Sequence, residues 1–133
     1  MSTIVFTNFP VKDLSASTEF YEKLGFKKDE SMSTETASTM IWDDTFWIML
    51  LKHELYQLFL KNKKIADAQT VSGVLTSFTV ENPAAVRKFA ELAKANGGDY
   101  FSVDMDIPEE EMLSLEVVDL DGNQLEPVWM RMP

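Results

Sequence analysis

The chain has 133 residues, with 12 Lys and Arg against 22 Asp and Glu, for a formal charge of −10. That balance argues against gripping a phosphate backbone, which needs clustered cations; it suits a cationic ligand, or solubility alone. Hydrophobic residues at 45% can build one core, no run of about 18 apolar residues offers a membrane span, and Met1-Ser2-Thr3-Ile4 does not open like a secretory signal; the lack of cysteine excludes disulfides and thiolate metal sites and fits a cytoplasmic protein.

Thr3 to Phe9 is β-rich, with Ile4, Phe6 and Asn8 on one face, and Pro10 is expected to stop it. Asp13 or Ser15 can cap a helix carrying Phe20, Tyr21 and Leu24 on one side, and Gly25 supplies the left-handed residue that ends it. Phe26 to Met32 and Ala37 to Trp42 read as strands. After the Asp43-Asp44-Thr45 turn comes the apolar strand Phe46 to Leu51. His53 to Lys61 has helical spacing, and Asn62 to Ser72 is a polar connector. Val74 to Val80 alternates again. Asn82 then caps a helix with Pro83 in its first turn and Val86, Phe89, Ala90 and Ala93 as its buried stripe, ending at Gly97-Gly98. Tyr100 to Val103 reads as a strand and Asp106 to Glu111 as an acidic loop. Leu113 to Val118 and Gln124 to Met130 form a hairpin around Asp121-Gly122.

This series is said twice. Residues 4–51 and 74–130 share the order strand, helix, strand, strand, strand, and Val11 and Val80, like Phe20 and Phe89, lie 69 positions apart. The offset is 72 at Gly25 and Gly97, and 77 where Asp44 meets Asp121 and Met49 meets Glu126; it grows only at helix ends and loops. The expected fold class is α+β: one domain over 1–133, with module one over about 1–61, a connector over about 62–72 and module two over about 73–133. Two half-sheets that cannot bury their own faces must close on each other, and the surface between them is the expected ligand site.

Three stretches in this order resemble the vicinal oxygen chelate superfamily, the group of glyoxalases, bleomycin-resistance proteins and extradiol dioxygenases. They are Asn8-Phe9-Pro10-Val11-Lys12-Asp13, then Phe20-Tyr21-Glu22-Lys23-Leu24-Gly25-Phe26, then Asp119-Leu120-Asp121-Gly122-Asn123-Gln124-Leu125-Glu126-Pro127. The resemblance covers nearly the whole chain. It implies paired βαβββ modules forming one cup-shaped mixed sheet, and often a homodimer. In metal-dependent members it implies His, Gln or Glu ligands at the positions held here by Phe6, Met49, Leu75 and Glu126. Phe and Leu donate nothing, Met suits soft metals, and one carboxylate falls short of the roughly three protein ligands of a catalytic site. No cofactor is expected, a divalent metal is disfavoured, and lactoylglutathione lyase chemistry is not expected.

Glu126 is the sharpest candidate. Alternation turns Gln124 and Glu126 into the cup and Leu125 into the core. Among apolar neighbours its pKa is expected to rise, making it a ligand contact or a general base; a residue merely solvated at the cup mouth is the bland alternative. Trp47, Met49 and Leu51, with Phe6 and Asn8 on the first strand, would give an adaptable apolar wall, Leu75 is the second module's counterpart of Phe6, and a cation could sit on Trp47. Ordinary core packing would use the same residues. His53 is the only histidine and has no partner spaced for a triad, so it reads as a surface or capping residue. The acidic stretch from Asp104 to Glu111 lacks calcium-loop spacing and reads as a solvated loop. The leading expectation is a metal-free small-molecule binding protein taking a cationic or aromatic compound. One alternative is a lyase, isomerase or dioxygenase-like enzyme using Glu126 as base or single metal ligand; another is a structural or regulatory partner protein.

Overall fold

The computed structural model describes residues 2–132. In chain order these form β1 (Val5–Val11), α1 (Leu14–Leu24), β2 (Lys27–Asp29), a 3-10 turn (Glu30–Met32), β3 (Ala37–Ile41), β4 (Phe46–Lys52) and α2 (His53–Leu58). Then come β5 (Leu75–Thr79), α3 (Pro83–Ala95), β6 (Asp99–Phe101), β7 (Met112–Ser114), β8 (Glu116–Val118) and β9 (Gln124–Met130). The α+β class and the two βαβββ modules are as the sequence implies. Of the two possible caps for α1, Asp13 serves, its carboxylate accepting from Ala16 N–H at 3.0 Å. Asn82 does the same for α3, accepting from Ala85 N–H at 2.8 Å.

Several expected boundaries move: the helix read over His53 to Lys61 ends at Leu58, the strand read over Tyr100 to Val103 is Asp99–Phe101, and three others shift for reasons visible in the structure. β1 runs through Pro10 to Val11 rather than stopping before it. It is an edge strand, and the Pro10 carbonyl points away from β4 to accept from Asn123 Nδ2 at 3.4 Å. The missing proline N–H therefore takes nothing from the β1–β4 ladder. The strand expected over Phe26 to Met32 shortens to β2, because Asp29 caps a 3-10 turn by accepting from Met32 N–H at 3.2 Å. The strand expected over Leu113 to Val118 splits at Leu115, which lies opposite Pro127. Leu115 N–H still reaches the Pro127 carbonyl at 3.4 Å, but proline returns no donor.

Hydrogen bonding divides the strands into two sheets of one plan, β1-β4-β3-β2 and β5-β9-β8-β6, with β7 also on β9. Register repeats as well as order. Phe6 pairs with Trp47 and Leu75 with Gln124 on parallel strands; Thr39 pairs with Met49, the equivalent of Glu116 facing Glu126 in module two. The modules meet at β1 and β5, where Thr7 Oγ1 and Thr76 Oγ1, 69 positions apart in sequence, lie 3.4 Å apart in space.

The helix-bearing faces of both sheets share one core. Phe9, Ile48, Leu50, Phe78, Val117 and Leu125 enter it from the strands, and Phe20, Tyr21 and Phe89 from helices that pack on each other. Aromatic rings cross between modules: Trp42 meets Phe78 at 5.3 Å and Phe89 at 5.6 Å, and Phe46 stacks on Phe78 at 5.1 Å. Each such pair is worth about 1 kcal/mol beyond the area it buries. This core occupies the surface between the modules where the sequence reading looked for a ligand. The faces left for one are those turned away from the helices, carrying Phe6, Asn8, Trp47 and Met49 in module one and Leu75, Gln124 and Glu126 in module two.

The Asp119 to Asn123 turn locks the modules together. Asp119 is buried and accepts Tyr21 Oη–H at 2.7 Å, Asn123 Nδ2–H at 3.1 Å, and the Asp121 and Asn123 N–H groups at 2.9 Å each. Asp121 accepts Lys12 N–H at 3.0 Å and Ser17 Oγ–H at 3.3 Å. Burial pushes the Asp119 carboxyl up, and the bonds from Tyr21 and Asn123 draw it back. Gly122 (φ +91°) leaves no room for a side chain: a Cβ there would sit 2.6 Å from Gln69 N and 2.7 Å from the Ala68 carbonyl carbon. Gly122→Ala should cost about 2 kcal/mol in chemical denaturation, from strain and displacement of the connector together.

Candidate functional site

The outward face of module two can be written as rows of side chains, because neighbouring strands bring paired residues to one face. One row is Asp99, Val118, Gln124 and Leu75; the next is Phe101, Glu116, Glu126 and Ser77. The second row puts two carboxyl groups side by side at the middle of the sheet, between an aromatic ring and a hydroxyl. Gln124 Nε2 donates to Glu116 Oε1 at 3.0 Å, and Ser77 Oγ donates to Glu126 Oε1 at 2.7 Å.

Like charges directly opposite on paired strands repel, unless a proton sits between them. Glu116 is the carboxyl whose protonated form the surroundings favour. It is 4% exposed, and its pKa is raised to about 7, first by burial and then by its hydrogen bond to Glu126, while the Gln124 donor opposes the rise. Near neutrality Glu116 thus passes between its neutral and charged forms. Glu126 has polar partners that the sequence reading did not name, Ser77 and Glu116.

Module one is the apolar counterpart. Its equivalent rows are Lys27, Ile41, Trp47 and Phe6, then Asp29, Thr39, Met49 and Asn8. Phe6 stacks on Trp47 at 5.9 Å and is 49% exposed. The Trp47 indole N–H is held by the Asp43 carbonyl at 3.0 Å. Thr39, standing where module two has Glu116, is turned into the Met32 carbonyl at 2.6 Å.

The seven candidate residues thus fall into two sets, Phe6, Asn8, Trp47 and Met49 on one sheet and Leu75, Gln124 and Glu126 on the other. Asn8 and Gln124 share the lining of a cavity of about 90 Å³ beside the connector. His53 opens α2 at the surface, as a surface or capping residue would. The sequence reading missed Glu116, Phe101 and Ser77. The signal for Glu116 was present: a hairpin folded about Asp121 sets 116 opposite 126. The burial of Glu116 was not readable from that pattern.

The metal-ligand positions implied by the resemblance hold two hydrocarbons, one thioether and one carboxylate. Glu116 adds a second carboxylate beside the first, and among the described residues no group of three or more His, Cys, Asp or Glu gathers. This donor set does not fit a hard divalent ion, which requires more oxygen or nitrogen ligands.

Fold and faces together define a two-module α+β protein with a polar, doubly carboxylated sheet and an apolar aromatic one. A model of the Glyoxalase/Bleomycin resistance protein/Dioxygenase superfamily matches residues 3–126, and the chain belongs to that superfamily. Its structure is similar to a family enzyme from Burkholderia phytofirmans PsJN, with TM-score 0.77, 19% identity and coverage of 98% of this chain and 100% of that one. It is similar to a genomically encoded fosfomycin resistance protein from Listeria monocytogenes, at 0.67 and 17%, covering 100% and 94%. It is also similar to a bleomycin resistance determinant encoded on the transposon Tn5, at 0.66 and 14%, covering 98% and 100%. At these identities the likeness is one of fold. No curated protein matches the sequence. Among the described residues no helix is long and apolar enough to cross a membrane.

Proposed function

We propose that this chain is a metal-free, cytoplasmic small-molecule binding protein that takes a cationic, aromatic compound on the Glu116–Glu126 face. The carboxyl pair carries this reading: it places up to two negative charges beside Phe101 and Leu75, in a chain of formal charge −10. The bleomycin resistance determinant of the same fold lends support by its name. Phe6 and Leu75 remain 49% and 45% exposed, so a homodimer that lays the Phe6–Trp47 face of one copy over the carboxyl face of the other would complete an enclosed site.

Calorimetric titration with a bleomycin-type compound and simpler cationic aromatics tests this. Binding should weaken about ten- to a hundredfold in Glu126→Gln, since a charge-assisted contact is worth about 1.5–3 kcal/mol. A folded protein that takes none of them at accessible concentrations removes the idea. The same carboxyl pair gives a second reading its support. A carboxyl near pH 7 is poised for general acid–base work, so an enzyme using Glu116 and Glu126 for proton transfer is the alternative. Metal analysis and a turnover assay on carbonyl and epoxide substrates separate the two readings.

A further inference from the structure

Residues 101–107 read Phe-Ser-Val-Asp-Met-Asp-Ile, a strict alternation of apolar and polar side chains. That is the pattern of a strand with one buried face, yet β6 ends at Phe101. Phe101, Val103, Met105 and Ile107 are all exposed, between 43% and 60%. Among the described residues the one hydrogen bond within 102–107 is local, from Asp106 N–H to the Asp104 side chain at 2.9 Å, and Asp106 (φ +58°) bends the chain, so the extended stretch runs from Ser102 to Met105. The segment begins at the free edge of its sheet, where β6 is outermost.

Facing it across a cavity of about 170 Å³ is a second open edge. The cavity is lined by Val103, Met105 and Ile107 on one side and by β7 on the other. β7 pairs with β9 alone. On either side of β7, Glu111 C=O accepts from Arg131 N–H and Leu115 N–H donates to Pro127 C=O, which sets the alternation. By the alternation of an antiparallel pair, the N–H and C=O of Ser114 point away from β9 and into the slot. The equivalent place in module one is closed. After β2 the chain turns back through its 3-10 turn, and Ser33 Oγ–H, Thr34 N–H and Thr39 Oγ1–H bond to Asp29, Ala37 and Met32 carbonyls. The two modules share their plan and differ here.

We propose that the slot between residues 102–107 and β7 receives an extended segment of a partner protein in which apolar and basic residues alternate. Strand addition would satisfy the free backbone groups and cover the apolar stripe. Charge names the partner. Asp104 and Asp106 alternate with the stripe and carry its charge, while Glu109, on the cavity lining, is paired with Arg87 at 2.8 Å and Glu111 with Arg131 at 3.8 Å. A second copy pairing the same segment about its own two-fold axis would set Asp104 opposite Asp104, which repels. A basic strand meets no such penalty.

The test uses the whole protein and a fluorescent peptide alternating valine and lysine. We expect saturable binding, weakened about tenfold or more in the Asp104→Lys/Asp106→Lys variant. Because that variant also loses the Asp104–Asp106 turn bond, Asp104→Asn/Asp106→Asn, which keeps an acceptor and tolerates the positive φ of Asp106, should weaken binding as well with its thermal unfolding unchanged. A peptide alternating valine and glutamate should not bind. A peptide of the same composition with its valines and lysines in blocks should bind about tenfold more weakly. Equal binding of alternating and blocked peptides would reduce the effect to general charge attraction and overturn the proposal. So would unchanged binding by the charge-reversed variant, or sedimentation showing that wild type self-associates and Met105→Lys does not.

Discussion

Asp119→Ala should destabilise the protein by about 3–5 kcal/mol, the largest loss expected from any polar substitution in the chain. The substitution removes a buried acceptor used by four donors: the Tyr21 hydroxyl, the Asn123 amide and two backbone N–H groups. Deserted buried donors cost about 1–3 kcal/mol each, and only those that cannot reach water are left wanting. Tyr21, fully buried in the core, cannot. Its hydroxyl pKa is also pushed well up, by burial first and by the charge of Asp119 next. Against a total stability of about 5–15 kcal/mol, the loss should appear as a large fall in the urea midpoint with little change in slope. Tyr21→Phe should cost only about 1–2 kcal/mol, since Asp119 keeps its other donors. The double variant should cost less than the sum, because both changes break the same bond. A loss below about 1 kcal/mol for Asp119→Ala would mean that this turn is not what locks module two to α1.

That lock shows how far the sequence was readable. Asp13, Gly25, Asn82 and the Asp121-Gly122 turn are local signals, each with its own backbone requirement, and the structure uses all of them as such. The alternation that put Leu125 in the core and Glu126 outside it held because strand geometry leaves no other choice. Pro10 misled because proline tells only that a donor is missing; whether the strand needs that donor depends on a neighbour more than a hundred residues away. Pro127 shows the converse, sitting inside β9 and breaking the opposite strand instead of its own.

The surface between the halves was misjudged for a related reason. A repeat says that two sheets must close on each other; it does not say by which face. Trp42, Phe46, Phe78 and Phe89 could each have been core or pocket by type. Their mutual contacts across the module boundary make them core. The candidate site was legible one residue at a time and incomplete as a set. Glu126 was found through its place in a motif, and Glu116 was not, because it belongs to none.

Glu116 should make the protein less stable as pH rises through neutrality. In the unfolded chain its carboxyl titrates near its ordinary value of 4.5, and in the folded chain at about 7. Between those values the folded state holds a proton that the unfolded state has lost, so stability falls with rising pH across this window. The contribution is fully present below about 4.5 and gone above about 7. A full shift of that size would amount to about 3 kcal/mol, and with Glu126 sharing the proton about 1–3 kcal/mol is expected. Glu116→Gln keeps an oxygen for Gln124 and offers Glu126 a permanent N–H in place of the shared proton. The variant should therefore lose this pH dependence and be more stable than wild type at pH 8, by about 1–3 kcal/mol, with little difference at pH 5. Urea unfolding of both proteins from pH 4.5 to 8.5 decides it. Parallel profiles across that range would mean that no proton is held between the two carboxyl groups, and the acid–base reading of this face would fall with it. If wild type alone declines, a cation bound there must displace the proton, and its affinity should climb over the same window.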